Sequence, residues 1–139
     1  RVMDTRTPKL AVLSADGKEQ KPVEAGLPAG TSIQAVSASG DKVLTLNWNE
    51  TAKRPEVAVI DLPTAKRTAI DLTLSPEKHC FLTSFAWSPD GKRIAYSYNV
   101  LDEREFPVES VLCVADADGK NPKEIHRAKK DSISSLAWR

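Results

Sequence analysis

The chain has 139 residues and a formal net charge of +1, from 20 Lys and Arg against 19 Asp and Glu; 40% of its residues are hydrophobic and 28% are charged. This balance excludes a disordered chain, which buries too little apolar surface to repay its ordering, and near-neutrality argues against a broad phosphate-binding face. No apolar run reaches the roughly 18 residues that a membrane-spanning helix requires, and two cysteines are too few for a disulfide scaffold.

Nine prolines and six glycines divide the chain into short runs rich in Val, Ile, Leu, Thr, Tyr and Trp. β-Branched and aromatic side chains suit a half-buried, pleated surface, so these runs read as strands. Strands are predicted over 1–5, 9–15, 19–24, 32–37, 42–48, 56–61, 67–73, 82–87, 93–99, 109–115, 123–127 and 132–138. Within 93–99, Ile94, Tyr96 and Tyr98 share one face while Ala95, Ser97 and Asn99 share the other. Residues 101–105 admit one helical turn, which Pro107 limits. The Asp-Gly steps at 16–17 and 118–119 fit type I′ hairpins, with positive φ at both central residues. Pro89 ahead of Asp90-Gly91 points to a longer turn, and Gly91 is expected to tolerate a side chain less well than Gly40.

The chain repeats itself. An offset of 51 residues sets Ala86 on Ala35, Ser88 on Ser37, Gly91 on Gly40 and Ile94 on Val43. A second step of 51 sets Ala137 on Ala86 and Trp138 on Trp87. A further block recurs at 9–23, 56–70 and 110–125: an apolar strand, a polar turn with lysine, then a shorter strand. A unit of about 50 residues with four short strands has the length of one β-propeller blade. The expected fold is therefore all-β, with about three four-stranded antiparallel blades: 1–25 plus 132–139, then 31–74, then 82–127.

At 85–98, the stretch Phe-Ala-Trp-Ser-Pro-Asp-Gly-Lys-Arg-Ile-Ala-Tyr-Ser-Tyr resembles the repeat of TolB-type, WD-like propellers. The later 116–121 is similar to the hairpin between their third and fourth strands. The resemblance is near complete over 81–127, degraded over 31–74 and partial at both ends. It implies a bacterial propeller, and with it a periplasmic or extracellular setting. It implies little about activity, because such blades serve as scaffolds, as gating domains of peptidases and as surface proteins.

Both chain ends fall inside the same hairpin of the repeat. The segment 132–138 is expected either to complete the first blade beside 1–25 or, with upstream blades missing, to lie beside a part of the protein outside this sequence. Three blades are too few for a ring, so the two assembly options are missing upstream blades and a six-bladed homodimer. Arg1 at the start, with no signal-peptide pattern, points to processing or a boundary upstream.

Chemistry-bearing clusters are sparse. The run 116–121 places its glycine fourth and Arg127 twelfth, unlike a calcium loop with glycine sixth and glutamate twelfth. His79, Cys80, Cys113 and His126 lack zinc-ligand spacing, and a Cys80–Cys113 disulfide would have to cross a blade. There is no Gly-x-Ser-x-Gly elbow and no Gly-rich phosphate loop. Neither catalysis, a metal nor a cofactor is expected. Trp48, Trp87 and Trp138 are read as blade-packing residues rather than nucleic-acid stacking platforms.

Loop variation remains. The long connection 99–109 combines Asp102, Glu103, Arg104 and Glu105 with an exposed-looking Phe106-Pro107. The connection 48–56, with Lys53 and Arg54, occupies the equivalent place in the preceding blade. Loops held by a rigid sheet are where such a scaffold places recognition. The expected function is a non-catalytic module binding a protein or peptide through these loops, one acidic and one more basic. The alternatives are the gating propeller of a larger prolyl-oligopeptidase-like hydrolase and a sugar-binding propeller, which would need more exposed aromatics.

Overall fold

The computed structural model describes residues 9–72, 74, 79–129, 133 and 135–139. Among them ten strands build three antiparallel sheets, with no helix. Strands β1 (Leu10–Leu13) and β2 (Gln20–Val23) pair with each other. Strands β3 (Ser32–Val36), β4 (Lys42–Asn49), β5 (Arg54–Asp61) and β6 (Lys66–Ile70) form a second sheet in chain order. Strands β7 (Cys80–Trp87), β8 (Arg93–Leu101), β9 (Pro107–Asp116) and β10 (Lys123–Lys129) form a third with the same topology. The strand expected over 1–5 lies outside the described residues. Of the strand expected over 132–138, residues 133 and 135–138 are described and belong to no strand.

One turn recurs four times and accounts for much of the sequence repeat. At 14–19, the Ser14 hydroxyl donates to Asp16 Oδ1 (2.6 Å), the Lys18 amide donates to the same oxygen (3.0 Å), and the Glu19 amide donates to Ser14 Oγ (3.0 Å). At 88–93, Ser88, Asp90, Lys92 and Arg93 make the same three bonds at 2.6, 3.0 and 2.9 Å. In each, the glycine amide closes on the serine carbonyl, and Gly17 and Gly91 stand at φ of 72° and 70°. Gly40 and Gly119 close equivalent turns on Ser37 and Asp116. The type I′ expectation is thus corrected. Positive φ falls on the glycine and not on Asp16 or Asp118: the Asp118 turn closes from the Asp116 amide to the Lys120 carbonyl as a three-residue loop, and the Asp16 turn from the Ser14 amide to the Glu19 carbonyl with one residue more. Gly40 and Gly91 have matching φ and open space around a Cβ, so the expected difference between them has no structural basis.

The alternating sides of β4 and β5 face different neighbours. Val43 and Ile60 face the β1–β2 hairpin and pack with Leu10, Val23 and Leu62. Leu44 and Val57, with Leu46 and Val59, face the third sheet. There they meet Ile94, Tyr96, Tyr98, Val111 and Cys113, all buried. The inner strands β3 and β7 adjoin each other, and the Trp87 indole N–H donates to the Ala35 carbonyl (3.3 Å). Burying a Leu- or Tyr-sized side chain is worth about 1.5–3 kcal/mol, so this inter-sheet layer is the main cohesive element.

Candidate functional site

The connection between the second and third strand is a short hairpin tip in both four-stranded sheets. In the third sheet, β8 continues to Leu101 and β9 begins at Pro107, leaving only 102–106 between them. The anticipated long insertion over 99–109 is therefore mostly paired strand, and no helical turn forms at 101–105. Pro107 opens its strand, the position where a missing N–H costs a ladder least.

Asp102 builds this tip. Its Oδ1 accepts from the Arg104 amide (2.9 Å) and the Phe106 amide (3.0 Å), and its own amide donates to the Phe106 carbonyl (2.9 Å). Glu105 completes the turn at φ of 64°, a left-handed position that a side chain occupies at some cost. Asp102 is thus a turn-former. Glu103, Arg104 and Glu105 are exposed, and Phe106 stands 63% exposed at the end of a hydrogen-bonded ribbon.

The tip of the second sheet is closed differently. Asn49 Oδ1 accepts from the Ala52 amide (2.9 Å), and Lys53 takes the left-handed position at φ of 53°. The Lys53 ammonium pairs with Glu50 (3.1 Å) and Arg54 lies 3.7 Å from Asp71. Each base already faces an acid, so this tip is less basic than its sequence suggests. These pairs are exposed and worth at most about 1 kcal/mol each. Among the described residues no hydrogen bond or ion pair links the two tips.

Among the exposed apolar side chains that the sequence reading did not single out are Trp48, Phe81 and Val108. Trp48 is 47% exposed beside its cross-strand neighbour Pro55, so it does not pack between sheets as Trp87 does. The signal was in the repeat itself, because the 51-residue offset sets Trp48 on Asn99 and not on Trp87. Phe81 is 63% exposed and pairs with Asn99, one strand over from the acidic tip, and Val108 follows Pro107. At the base of the other tip lies a half-buried polar cluster. Arg67 Nη2 donates to Glu56 Oε1 (2.5 Å) and Asn47 Oδ1 (3.2 Å), while Asn49 Nδ2 donates to Glu56 Oε2 (2.8 Å). The donors from Arg67 and Asn49 hold the Glu56 carboxyl below the usual carboxylate range.

Cys80 and Cys113 are not joined by a disulfide. They lie on β7 and β9 with β8 between them, paired to Val100 and Tyr96. His126 pairs with Leu112, on the opposite side of the sheet from Cys113. Among the described residues no three His, Cys, Asp or Glu side chains gather in a metal-binding arrangement, and no helix is long and apolar enough to cross a membrane.

No protein-family model matches the chain, and no curated protein matches it by sequence. Its structure matches the β-propeller domain of the Trilobed protease from Pyrococcus furiosus, with a TM-score of 0.55 and 19% identity over 94% of this chain and 37% of that one. The sheets are β-propeller blades. A Pyrococcus horikoshii acylaminoacyl peptidase matches with a TM-score of 0.58 and 18% identity, over 94% of this chain and 21% of that one. Another acylaminoacyl peptidase, solved in complex with a chloromethyl ketone, matches with a TM-score of 0.59 and 17% identity over 94% of this chain and 22% of that one. The chain spans about a fifth to two-fifths of the length of these proteins. At such identities the likeness establishes the fold, and the fold alone leaves activity open.

Proposed function

We propose that these propeller blades form a non-catalytic binding module of TolB-like type that engages a protein or peptide partner through the 102–106 hairpin tip. The observation carrying this reading is Phe106. It is a large apolar side chain held out at the end of a ribbon whose backbone is pinned by Asp102, and it is flanked by Glu103 and Glu105. A preorganised aromatic anchor spends little conformational entropy on binding. The acidic flank favours a segment that carries basic residues beside an apolar one. The TolB-like assignment rests on the Ser88-Pro89-Asp90-Gly91-Lys92 turn, whose bonds the repeat preserves at Ser14-Ala15-Asp16-Gly17-Lys18. Selection of a displayed random peptide library on the purified chain tests the reading. Enriched peptides should combine aromatic and basic residues and lose about tenfold or more in affinity to Phe106→Ser. Enrichment of peptides indifferent to Phe106→Ser and to Glu103→Lys would remove the tip from consideration.

A second reading has a specific observation in its favour. The likeness to two acylaminoacyl peptidases and a protease propeller supports a propeller that accompanies a hydrolase domain and screens its substrates. It predicts an α/β-hydrolase coding region in the flanking reading frame, and a frame without one would dismiss it.

A further inference from the structure

We infer that the junction between the second and third sheets holds a binding site for a free aliphatic α-amino acid such as leucine. Its walls follow from the strand register. On the side of the second sheet that faces the third, Lys42, Asp61 and Lys66 lie abreast across β4, β5 and β6. Val59 and Thr68 lie abreast one step further along, with Ile70 beyond them. The facing wall is the turn between β9 and β10. It is fixed to its own sheet by the Ala117 amide, which donates to the Lys92 carbonyl (2.9 Å), and it meets the second sheet where Gly119 sits against the Asp71 backbone. Between the walls lies a cavity of about 250 Å³, lined by these six residues of the second sheet and by Ala117 and Asp118.

The floor of this cavity is apolar, made by Val59, Ile70 and Ala117, and its rim carries both signs of charge. Among the described residues the Lys42 and Lys66 ammoniums make no hydrogen bond or ion pair. The two carboxylates are each half engaged. Asp61 Oδ2 accepts from the Thr64 hydroxyl (2.5 Å) and Asp118 Oδ1 from the Lys120 amide (2.9 Å), which leaves one oxygen of each. Asp61 lies between the two lysines, whose charge outweighs its own, so the sheet wall is positive and the turn wall negative. A ligand of one sign satisfies one wall and leaves the other unpaired, whereas a zwitterion meets both. Its carboxylate goes to Lys42 and Lys66, its ammonium to Asp118, and its side chain onto the floor. The volume is below the roughly 300 Å³ at which pockets for larger ligands begin, so the space suits one amino acid and not a peptide.

The junction one step earlier in the chain shows what is particular to this one. A cavity of about 350 Å³ lies between the β1–β2 hairpin and the second sheet, on equivalent residues. Val12 pairs with Lys21 there as Val59 pairs with Thr68, and the Leu62 amide donates to the Asp41 carbonyl (2.8 Å) as Ala117 does to Lys92. Successive sheets thus leave such a space by construction, and the rim decides what it takes. At the earlier junction Pro63 holds the place of Asp118, and a single lysine, Lys21, accompanies two acids, Glu24 and Asp41. The paired lysines facing an aspartate belong to the later junction alone.

Heteronuclear NMR titration of the chain with leucine, up to about 20 mM because so small a ligand binds weakly, tests this directly. Saturable shifts should centre on the amides of Val59, Thr68, Ala117 and Asp118. N-Acetylleucine, which lacks the ammonium, and leucinamide, which lacks the carboxylate, should each bind about tenfold more weakly, the scale of one charge-assisted contact. Lys66→Gln should weaken leucine but not leucinamide. Asp118→Asn, which keeps an oxygen for the Lys120 amide, should weaken leucine but not N-acetylleucine. Ala117→Leu places in the cavity the residue that the equivalent turn already carries at Leu62, and should abolish binding. Lys21→Gln, at the earlier junction, should change nothing. Absence of saturable shifts, equal affinity for the three ligands, or equal losses in Lys66→Gln and Lys21→Gln overturns the inference. Binding retained by a folded Ala117→Leu chain overturns it equally; where that variant fails to fold, Lys66→Gln, on an exposed side chain, decides.

Discussion

Gly119 rests on the backbone of Asp71: a Cβ built on it would stand 2.5 Å from the Asp71 carbonyl oxygen. The turn between β9 and β10 thus abuts the chain as it leaves β6, and the approach is possible only without a side chain. Gly119 also has φ of 85°, so Gly119→Ala meets both a conformational and a steric penalty. Gly91, at φ of 70° with nothing within 4 Å of a Cβ, separates the two effects. Gly91→Ala should cost about 1 kcal/mol, the left-handed penalty alone. Gly119→Ala should cost about 1–3 kcal/mol more. Urea midpoints of the two variants decide; equal losses would show that the blades have room to move apart at this contact.

Ala65 does a glycine's work. It closes the connection between β5 and β6 at φ of 58°, the place that Gly119 holds between β9 and β10. A left-handed Ala costs roughly 1 kcal/mol relative to Gly, so Ala65→Gly should stabilise the chain by up to about 1 kcal/mol. Thermal unfolding would read this as a rise of a few degrees. No rise, or a fall, would mean that the alanine methyl makes compensating contacts.

Cys113 is buried in the layer between the two complete blades, and burial pushes its thiol above the usual cysteine range. Cys80 is only partly covered. An aromatic disulfide reagent at pH 8 should therefore modify Cys80 in the folded chain, and Cys113 only at the rate of unfolding. Equal, rapid modification of both without denaturant would place Cys113 outside the packed layer.

The strand positions were legible because turn chemistry is local. Ser, Asp and Gly at fixed spacing form the same bonds wherever they occur, and the apolar runs between them have nowhere else to pair. The length of the β8–β9 hairpin was not legible. Acidic residues and Pro107 read as loop, yet Pro107 fits at a strand's first position and Asp102 spends its carboxylate on the turn. Trp48 was misplaced for a related reason. Aromatic spacing suggests packing, but exposure depends on which blade face meets a neighbour, and that is a property of the whole assembly. Of the candidate site, the exposure of Phe106 was legible and the neutralisation of Lys53 and Arg54 was not. Glu50 and Asp71 become their partners only when the hairpin and the end of β6 come together.

The repeated turns also predict how stability responds to acid. Asp16 and Asp90 are held below the ordinary value of 3.8, chiefly by the hydroxyls of Ser14 and Ser88 and then by the amides of Lys18 and Lys92. Asp41 is lowered chiefly by Ser39 and then by Ser37. A carboxyl with a lower pKa in the folded chain than in the unfolded chain binds fewer protons when folded. Its contribution is complete above the unfolded value and disappears as the pH falls below 3.8 through the lowered folded value. The urea midpoint should therefore be flat with respect to these three groups above about pH 5 and fall between about pH 4 and 2. Asp90→Asn keeps an oxygen for the Ser88 hydroxyl and the Lys92 amide but cannot ionise, so it should shallow that fall while leaving the sheet intact. The double variant Asp16→Asn, Asp90→Asn should shallow it further, because the two turns lie in separate sheets and their effects add. An acid limb as steep as that of the unaltered chain would assign the loss to other carboxylates, Glu56 beside Arg67 first among them.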